Sequence, residues 1–453
     1  MSLERLSATD ATWLSLESPD MPMHVAYLME FESPDGDAEQ FVTRWLSTHV
    51  GPVTAARPWY LVPVEGRLAG ALALVREAEE IFPAEHVRHW QLPADADADA
   101  LTRLVTRIHT AQLDLTRPPW ELHFVTGLGA GRFAVIFKAH HSLVDGVSMV
   151  RVISSTLSTD PESRSTPPFY LVGPQADAAP KRSSLAAIGT FFAILFGVVL
   201  AALDAVRRIA GLPAHGQHTY RQPPSILDGP ITGARGLALR SFDLTEFKSV
   251  ARSAQCTVND LLLFLVSTAL RDYLGAHDQL PVRSLTTGVP TDLRGGGDQR
   301  AGTRAGLMFT TLGTDVADPA ARLTAVKNAV DAAKHHFDRL PADAVIGYGL
   351  ATTLPWIIGL RRGRTGTSAS HPMGISNLPG PDRPLYWDGA RMTSMYPISL
   401  LMHGNSFNVT CTGYDGRLYL GILTAADKLP PVEEFADAFE RALAATTTTS
   451  AAR

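Results

Sequence analysis

The chain has 453 residues, with 40 Lys and Arg against 45 Asp and Glu, for a formal charge of −5. That balance, without a long basic stripe, argues against nucleic acid as a partner. Apolar residues make up 45% and charged residues 19%, which is greasy for a soluble protein but too polar for one that crosses a membrane many times.

The length exceeds one ordinary core and points to two large lobes with a connecting piece. Two cysteines, Cys256 and Cys411, make neither a disulfide framework nor a zinc site. Met1–Leu6 lack the basic and apolar stretches of a secretory signal, so a reducing cytoplasm is expected. Along the chain, Ser7-Ala8-Thr9-Asp10 reads as a capping box opening a helix through Leu16. Met23–Phe31 follows as a strand, and residues 35–48 and 95–113 as helices. Trp120–Gly127 and Arg132–Ala139 form a strand pair around Gly129-Ala130-Gly131, and Val147–Leu157 suits a helix.

From about residue 158, Ser, Thr, Pro and Asp dominate, as in a linker. Ser183–Leu203 then contains no charge at all. As a helix it would run about 31 Å, the thickness of a bilayer core. The second lobe opens near residue 226. Leu237–Phe242 reads as a strand and Thr257-Val258-Asn259-Asp260 as a capping box before an apolar helix, Leu261–Leu274. Leu285–Pro290 and Gly306–Leu312 read as strands, and Pro319–Leu340 as a helix capped by Asp318. Phe407–Thr412 and Leu418–Thr424 make a hairpin turning at Tyr414-Asp415-Gly416. The organisation expected is therefore 1–160, a linker with an apolar helix over 161–225, and 226–453.

The chemistry concentrates at the end of the Arg132–Ala139 strand, in His140-His141-Ser142-Leu143-Val144-Asp145-Gly146. Neighbours on a strand point to opposite faces, so at most one histidine faces a given site, and a shared metal is disfavoured. A neutral imidazole has a pKa near neutrality and can take a proton from a hydroxyl as its oxygen attacks. Asp145 either orients that imidazole directly or holds the turn through an ion pair elsewhere. Ser142 lacks a glycine-flanked elbow, and Cys256 before a helix start reads as structural.

The segment resembles the His-x-x-x-Asp-Gly signature of the acyltransferases related to chloramphenicol acetyltransferase and peptide-synthetase condensation domains. The doubled histidine resembles more narrowly the bacterial wax ester synthase/diacylglycerol acyltransferase family. So do Leu6–Ala11 with Pro22-Met23-His24-Val25, and Leu113–Glu121. Thr257–Asp260, Ser376–Pro381 and Tyr396-Pro397 follow in family order. The resemblance implies an α/β fold of two chloramphenicol-acetyltransferase-like lobes, each a mixed sheet with flanking helices, with the active-site channel between them. It implies transfer of a fatty acyl group from acyl-coenzyme A, a co-substrate rather than a resident cofactor, to a long-chain alcohol or diacylglycerol. No metal and no covalent intermediate are implied.

By the same resemblance His141 is the general base, His140 its supporting neighbour, Asp145 a structural anchor, and Gly146 a small residue leaving room for substrate. Asn259 and Asp260 match a block implicated in activity, although the local pattern makes Asp260 a helix cap first. Ser376 and Asn377, read as part of a bend, would line the site. Arg294 is the candidate partner of Asp145. Departures from the family at Gly302-Thr303-Arg304 and Pro118-Pro119-Trp120 bear on acceptor choice. They motivate an alternative, an acyltransferase of specialised metabolism using a carrier-protein or coenzyme A thioester and a small alcohol. A non-catalytic lipid-binding protein of the same fold is a third reading, opposed by the intact His141 and Asp145.

A single membrane span over Ser183–Leu203 would put the two lobes on opposite sides of a bilayer, which a shared site cannot tolerate. The expectation is a shallow or hairpin insertion, with Leu354–Arg362 touching the same surface, or docking onto the protein itself. Location would then be cytoplasmic and peripheral to the inner membrane or lipid inclusions. Oligomeric state is not read from the sequence.

Overall fold

Strand patterning in both halves is resolved into two six-stranded mixed sheets in the computed structural model. It describes residues 3–49, 51–64, 73–174, 184–210, 223–292, 305–364 and 371–451. The first sheet runs Tyr386–Trp387, Ala390–Ile398, His24–Glu32, Arg132–His140, Trp120–Thr126, Val87–Gln91. The second runs Ala305–Thr311, Thr286–Asp292, Met373–Leu378, Phe407–Tyr414, Arg417–Ala425, Arg235–Asp243. A small third sheet joins Leu3–Arg5, Leu74–Glu77 and Leu61–Pro63.

The chain's own order does not respect the lobes. Tyr386–Ile398 lies far along the sequence yet pairs antiparallel with His24–Glu32, extending the first sheet. Pro397 sits within that strand opposite Tyr27. It is tolerated because the strand's other neighbour, Tyr386–Trp387, pairs only with Arg391 and Ala390.

One face of the first sheet carries Phe31, Phe133, Phe137 and Trp387 against Phe41 and Trp45 of the Ala38–Thr48 helix. Its other face takes Leu104, Val105 and Ile108 of the Ala100–Thr110 helix, together with Leu237 and Leu423 from the second sheet. The Val258–Gly275 helix is buried almost all round, which its near-continuous apolar run requires. The Phe407–Ala425 hairpin turns through Asp415 and Gly416, both at positive φ (43° and 76°), the conformation a two-residue type I′ turn needs.

Ser184–Ile209 is one helix, and it packs on a helix over Ala342–Arg361 that the sequence marks only by its apolar-then-basic end. Glycines allow a close crossing: a Cβ on Gly197 would stand 1.9 Å from Ala344 O, and one on Gly347 2.0 Å from Ile194 O. Tyr348 Oη donates 2.9 Å to buried Asp204 across the same contact. Phe192, Leu195, Phe196, Val199, Leu203 and Val206 stay exposed, at helical spacing that makes one outward stripe. Among the described residues, Asp343–Arg361 is long and apolar enough to cross a membrane, and half of it is buried in the protein.

The two sheets touch at Gly421, where an added Cβ would lie 1.8 Å from Pro397 O. Gly421→Ala is expected to push these strands apart and cost about 1–3 kcal/mol. A fall in the denaturant midpoint with an unchanged slope would register it, and an unmoved midpoint would show that the strands can yield.

Candidate active site

The Arg132–His140 strand ends against the start of its neighbour, with His140 in register with His24. The backbone then turns: His140 N–H donates 2.9 Å to Pro119 O, Leu143 N–H 2.9 Å to His140 O, and His141 N–H 2.8 Å to Met23 O. His140 is buried. Its Nδ1 accepts from Ser142 N–H at 3.1 Å and lies 2.7 Å from Ser142 Oγ. An accepting Nδ1 leaves the neutral ring's proton on Nε2, which faces Glu17 Oε2 at 3.5 Å. Ser142 is thus committed to the turn.

Glu17 closes the network. Its side chain is 7% exposed. It accepts from Met23 N–H and, at 2.8 Å, from Gln112 Nε2. Met23 in turn holds the His141 peptide, so one carboxylate braces both histidines.

His141 turns the other way. The residue is half-buried, but its Nδ1 is sealed and meets no hydrogen-bond partner beyond its own residue. Its ring stacks on Trp13 of the Ala8–Leu16 helix, with centroids 4.2 Å apart and planes at 27°. Burial pushes the His141 pKa down to about 4, against the attraction of Asp145 and with some repulsion from His140. The imidazole is therefore neutral at physiological pH, the form that accepts a proton.

Asp145 is the N-cap of the Gly146–Thr156 helix and accepts from Ser148 N–H at 2.7 Å. Its recorded hydrogen bond is a backbone cap, and Arg294, its expected partner, lies outside the described residues. Gly146 faces the second lobe: a Cβ there would stand 3.0 Å from Leu378 Cδ1. Tyr27 Oη meets Thr412 Oγ1 at 3.1 Å, and burial, with the Asp145 charge adding to it, raises its pKa. Cys411 Sγ donates 3.3 Å to Asn377 Oδ1. The His141 turn, the Met373–Leu378 strand and the Phe407–Tyr414 strand thus converge where the lobes meet.

Ser376 and Asn377 require a correction. They lie on a strand, Met373–Leu378, parallel to Phe407–Tyr414, and not in a bend. Met373 and Ile375 are buried, Ser376 on the opposite face is half-buried, and Asn377, on the face of Ile375 but near the strand end, is exposed. Among the described residues, no hydrogen bond joins Asn259 or Asp260 to the turn. Asp260 forms the reciprocal capping box with Thr257, at 3.0 and 3.1 Å, and its Oδ1 is buried without a partner. Cys256 beside it has its pKa raised to about 11 by burial and by Asp260, which removes the thiolate a nucleophile needs. Gly302-Thr303-Arg304 lies outside the described residues. Trp13, Glu17 and Tyr27 escape a reading by motif. Trp13 and Tyr27 look like core residues, and Glu17 like a solvated charge after a helix.

Residues 6–262 match the family model for the wax ester synthase/diacylglycerol acyltransferase catalytic domain, and 301–446 match that family's C-terminal domain. The chain is 31% identical to the O-acyltransferase WSD of Acinetobacter baylyi, covering 94% of this chain and 93% of that protein. It resembles the solved wax ester synthase/diacylglycerol acyltransferase from Marinobacter aquaeolei VT8, at TM-score 0.78 and 27% identity over 99% of each chain. The first condensation domain of the calcium-dependent antibiotic synthetase shares the fold, at TM-score 0.58 and 16% identity over 99% of this chain and 96% of that one.

Two outcomes are expected. With His141 depressed to about 4, kcat/KM should stay level from about pH 7.5 to about 5.5. An ordinary histidine would by then have lost about nine-tenths of its neutral form. The profile is to be taken where circular dichroism shows a folded protein. His24, His109 and His371 are also lowered by burial, so the stability they contribute is full above about pH 6.5 and is lost as pH falls toward their folded values. Second, Asp145→Ala should lose about 1 kcal/mol of stability through the cap, and Asp145→Asn almost none, by thermal or denaturant unfolding.

Proposed function

The chain belongs to the wax ester synthase/diacylglycerol acyltransferase family, and we propose that it moves a fatty acyl group from acyl-coenzyme A to a long-chain alcohol or diacylglycerol with His141 as the base. The observation that carries this reading is the neutral, half-buried imidazole of His141 at the junction of the lobes, with its Nδ1 sealed.

Nε2 of His141 takes the hydroxyl proton as the alcohol oxygen bonds to the thioester carbon. The C–S bond then breaks, the carbonyl re-forms, and the proton returns from the imidazolium to the coenzyme A sulfur. The thioester is already activated, so no enzyme nucleophile is needed, in keeping with the raised thiol of Cys256 and the committed hydroxyl of Ser142. General-base help of this kind supplies about 10²–10⁴-fold, and alignment of donor and acceptor supplies much of the rest.

The greasy substrates need a route that avoids water. Each methylene moved from lipid to water costs about 0.8 kcal/mol, so a sixteen-carbon chain resists by roughly 12 kcal/mol. The outward stripe on Ser184–Ile209, continued by exposed Leu354 and Ile358 and flanked by exposed Arg207, Arg361, Arg362 and Arg364, supports docking on an anionic lipid surface. On this reading the enzyme would work peripherally, on the cytoplasmic membrane face or on lipid inclusions.

His141→Ala should fold normally and lose about 10²-fold or more in ester synthesis, measured as thiol release from palmitoyl-coenzyme A with acceptor. Near wild-type turnover in a folded variant would end the mechanism. A panel of hexadecanol, dipalmitoylglycerol and a short alcohol, read by thin-layer chromatography, tests the acceptor: product from the short alcohol alone would overturn the lipid assignment. Flotation with phosphatidylglycerol vesicles tests docking, and Phe196→Glu with Val199→Glu should abolish it.

A further inference from the structure

An imidazole that works as a base must be held in one plane. In a Ser-His-Asp triad a carboxylate on Nδ1 does this. Here that device is missing: Nδ1 of His141 is sealed without a partner beyond its own residue, and Asp145 is engaged by Ser148 N–H. What lies on the ring is the Trp13 indole, 4.2 Å away and within 27° of parallel.

We propose that Trp13 is the positioning residue of the reaction, its indole face fixing the plane of the His141 ring and supporting the imidazolium that forms as the alcohol proton arrives. A cation over an aromatic face is attracted by the ring quadrupole, most strongly over tryptophan. The stack therefore favours the protonated ring more than the neutral one, which lowers the barrier to proton transfer.

The indole has a rigid mount. Its helix starts at the Ser7 cap, whose Oγ accepts from Asp10 N–H at 3.1 Å. It ends at Glu17, held by Met23 N–H and Gln112. Between them, Ser15 Oγ accepts 2.7 Å from Arg361 Nε. The titratable groups acting on His141 are Asp145, which favours its charge, and His140, which opposes it. Asp145 in turn raises the pKa of Asp10 and of Tyr27.

This rests on His141 being the base, and the test keeps the two apart. Purified full-length Trp13→Leu, Trp13→Phe and His141→Ala are compared with palmitoyl-coenzyme A and the best acceptor of the panel. Trp13→Leu keeps apolar bulk and removes the ring. Its kcat should fall about 10- to 100-fold, with KM for palmitoyl-coenzyme A within about threefold, while Trp13→Phe recovers most of the rate. The acid limb of kcat should move to lower pH, by about half a unit, because the imidazolium loses its π partner.

Wild-type kcat and an unmoved limb in Trp13→Leu would overturn the proposal, as would a loss confined to KM or one that Phe fails to rescue. If Trp13→Leu does not fold, Trp13→Phe decides. Its ring is a weaker partner for a cation, so its limb should still move down, and a limb that superimposes on wild type overturns the proposal. His141→Ala retaining turnover would instead strike the base itself.

Discussion

The site depends on one half-buried imidazole whose sealed Nδ1 meets no hydrogen-bond partner beyond its own residue. Burial keeps His141 neutral, the form that accepts a proton, but it also removes the water that would otherwise satisfy Nδ1. Such a group must be held by packing and by its backbone. The backbone is set by Met23 O, Pro119 O and the Asp145 cap, the ring by Trp13. Glu17 ties these together, since it holds Met23 N–H on one side and faces His140 on the other. The doubled histidine thus divides its labour: one ring is committed to the turn, the other is left with a nitrogen for chemistry.

That turn would be half a site without the crossing of Tyr386–Ile398 into the first sheet. The crossing brings the strands on either side of it, Met373–Leu378 and Phe407–Tyr414, up to Gly146 and Tyr27. Gly421 lets the sheets touch, and Arg235 at the start of the second sheet reaches back to Asp20 O at 2.7 Å. The lobes are stitched by close backbone approach as well as by apolar packing of Leu237 and Leu423 on the first sheet.

What the sequence made legible is what local rules control. The caps at Ser7, Thr257 and Asp318 and the hairpin at Asp415-Gly416 each follow from side-chain and backbone preferences within a few residues. The Arg132–His140 strand follows from its apolar run. Strand Met373–Leu378 was hidden because glycine, serine and asparagine weaken its pattern, and only its parallel partners make it a strand. Strand Ala390–Ile398 was hidden by a proline whose missing N–H matters only if the far neighbour extends that far. The His141 turn was visible as a motif, yet Trp13 and Glu17 were not, since their roles exist only through contacts across the fold.

The apolar stripe and the base belong to one mechanical unit. The Ala342–Arg361 helix packs on Ser184–Ile209 through paired glycines, turns Leu354 and Ile358 outward, and sends Trp356 and Leu360 into the core of the first lobe. Its last residue, Arg361, grips Ser15, two positions from Trp13. The exposed apolar stripe and the indole stacked on His141 are therefore separated by a single helix. For a substrate whose transfer through water costs roughly 12 kcal/mol, that short distance is physically sensible. The reacting hydroxyl has to travel only as far as its own acyl tail can reach while still leaving most of its methylenes in an apolar setting.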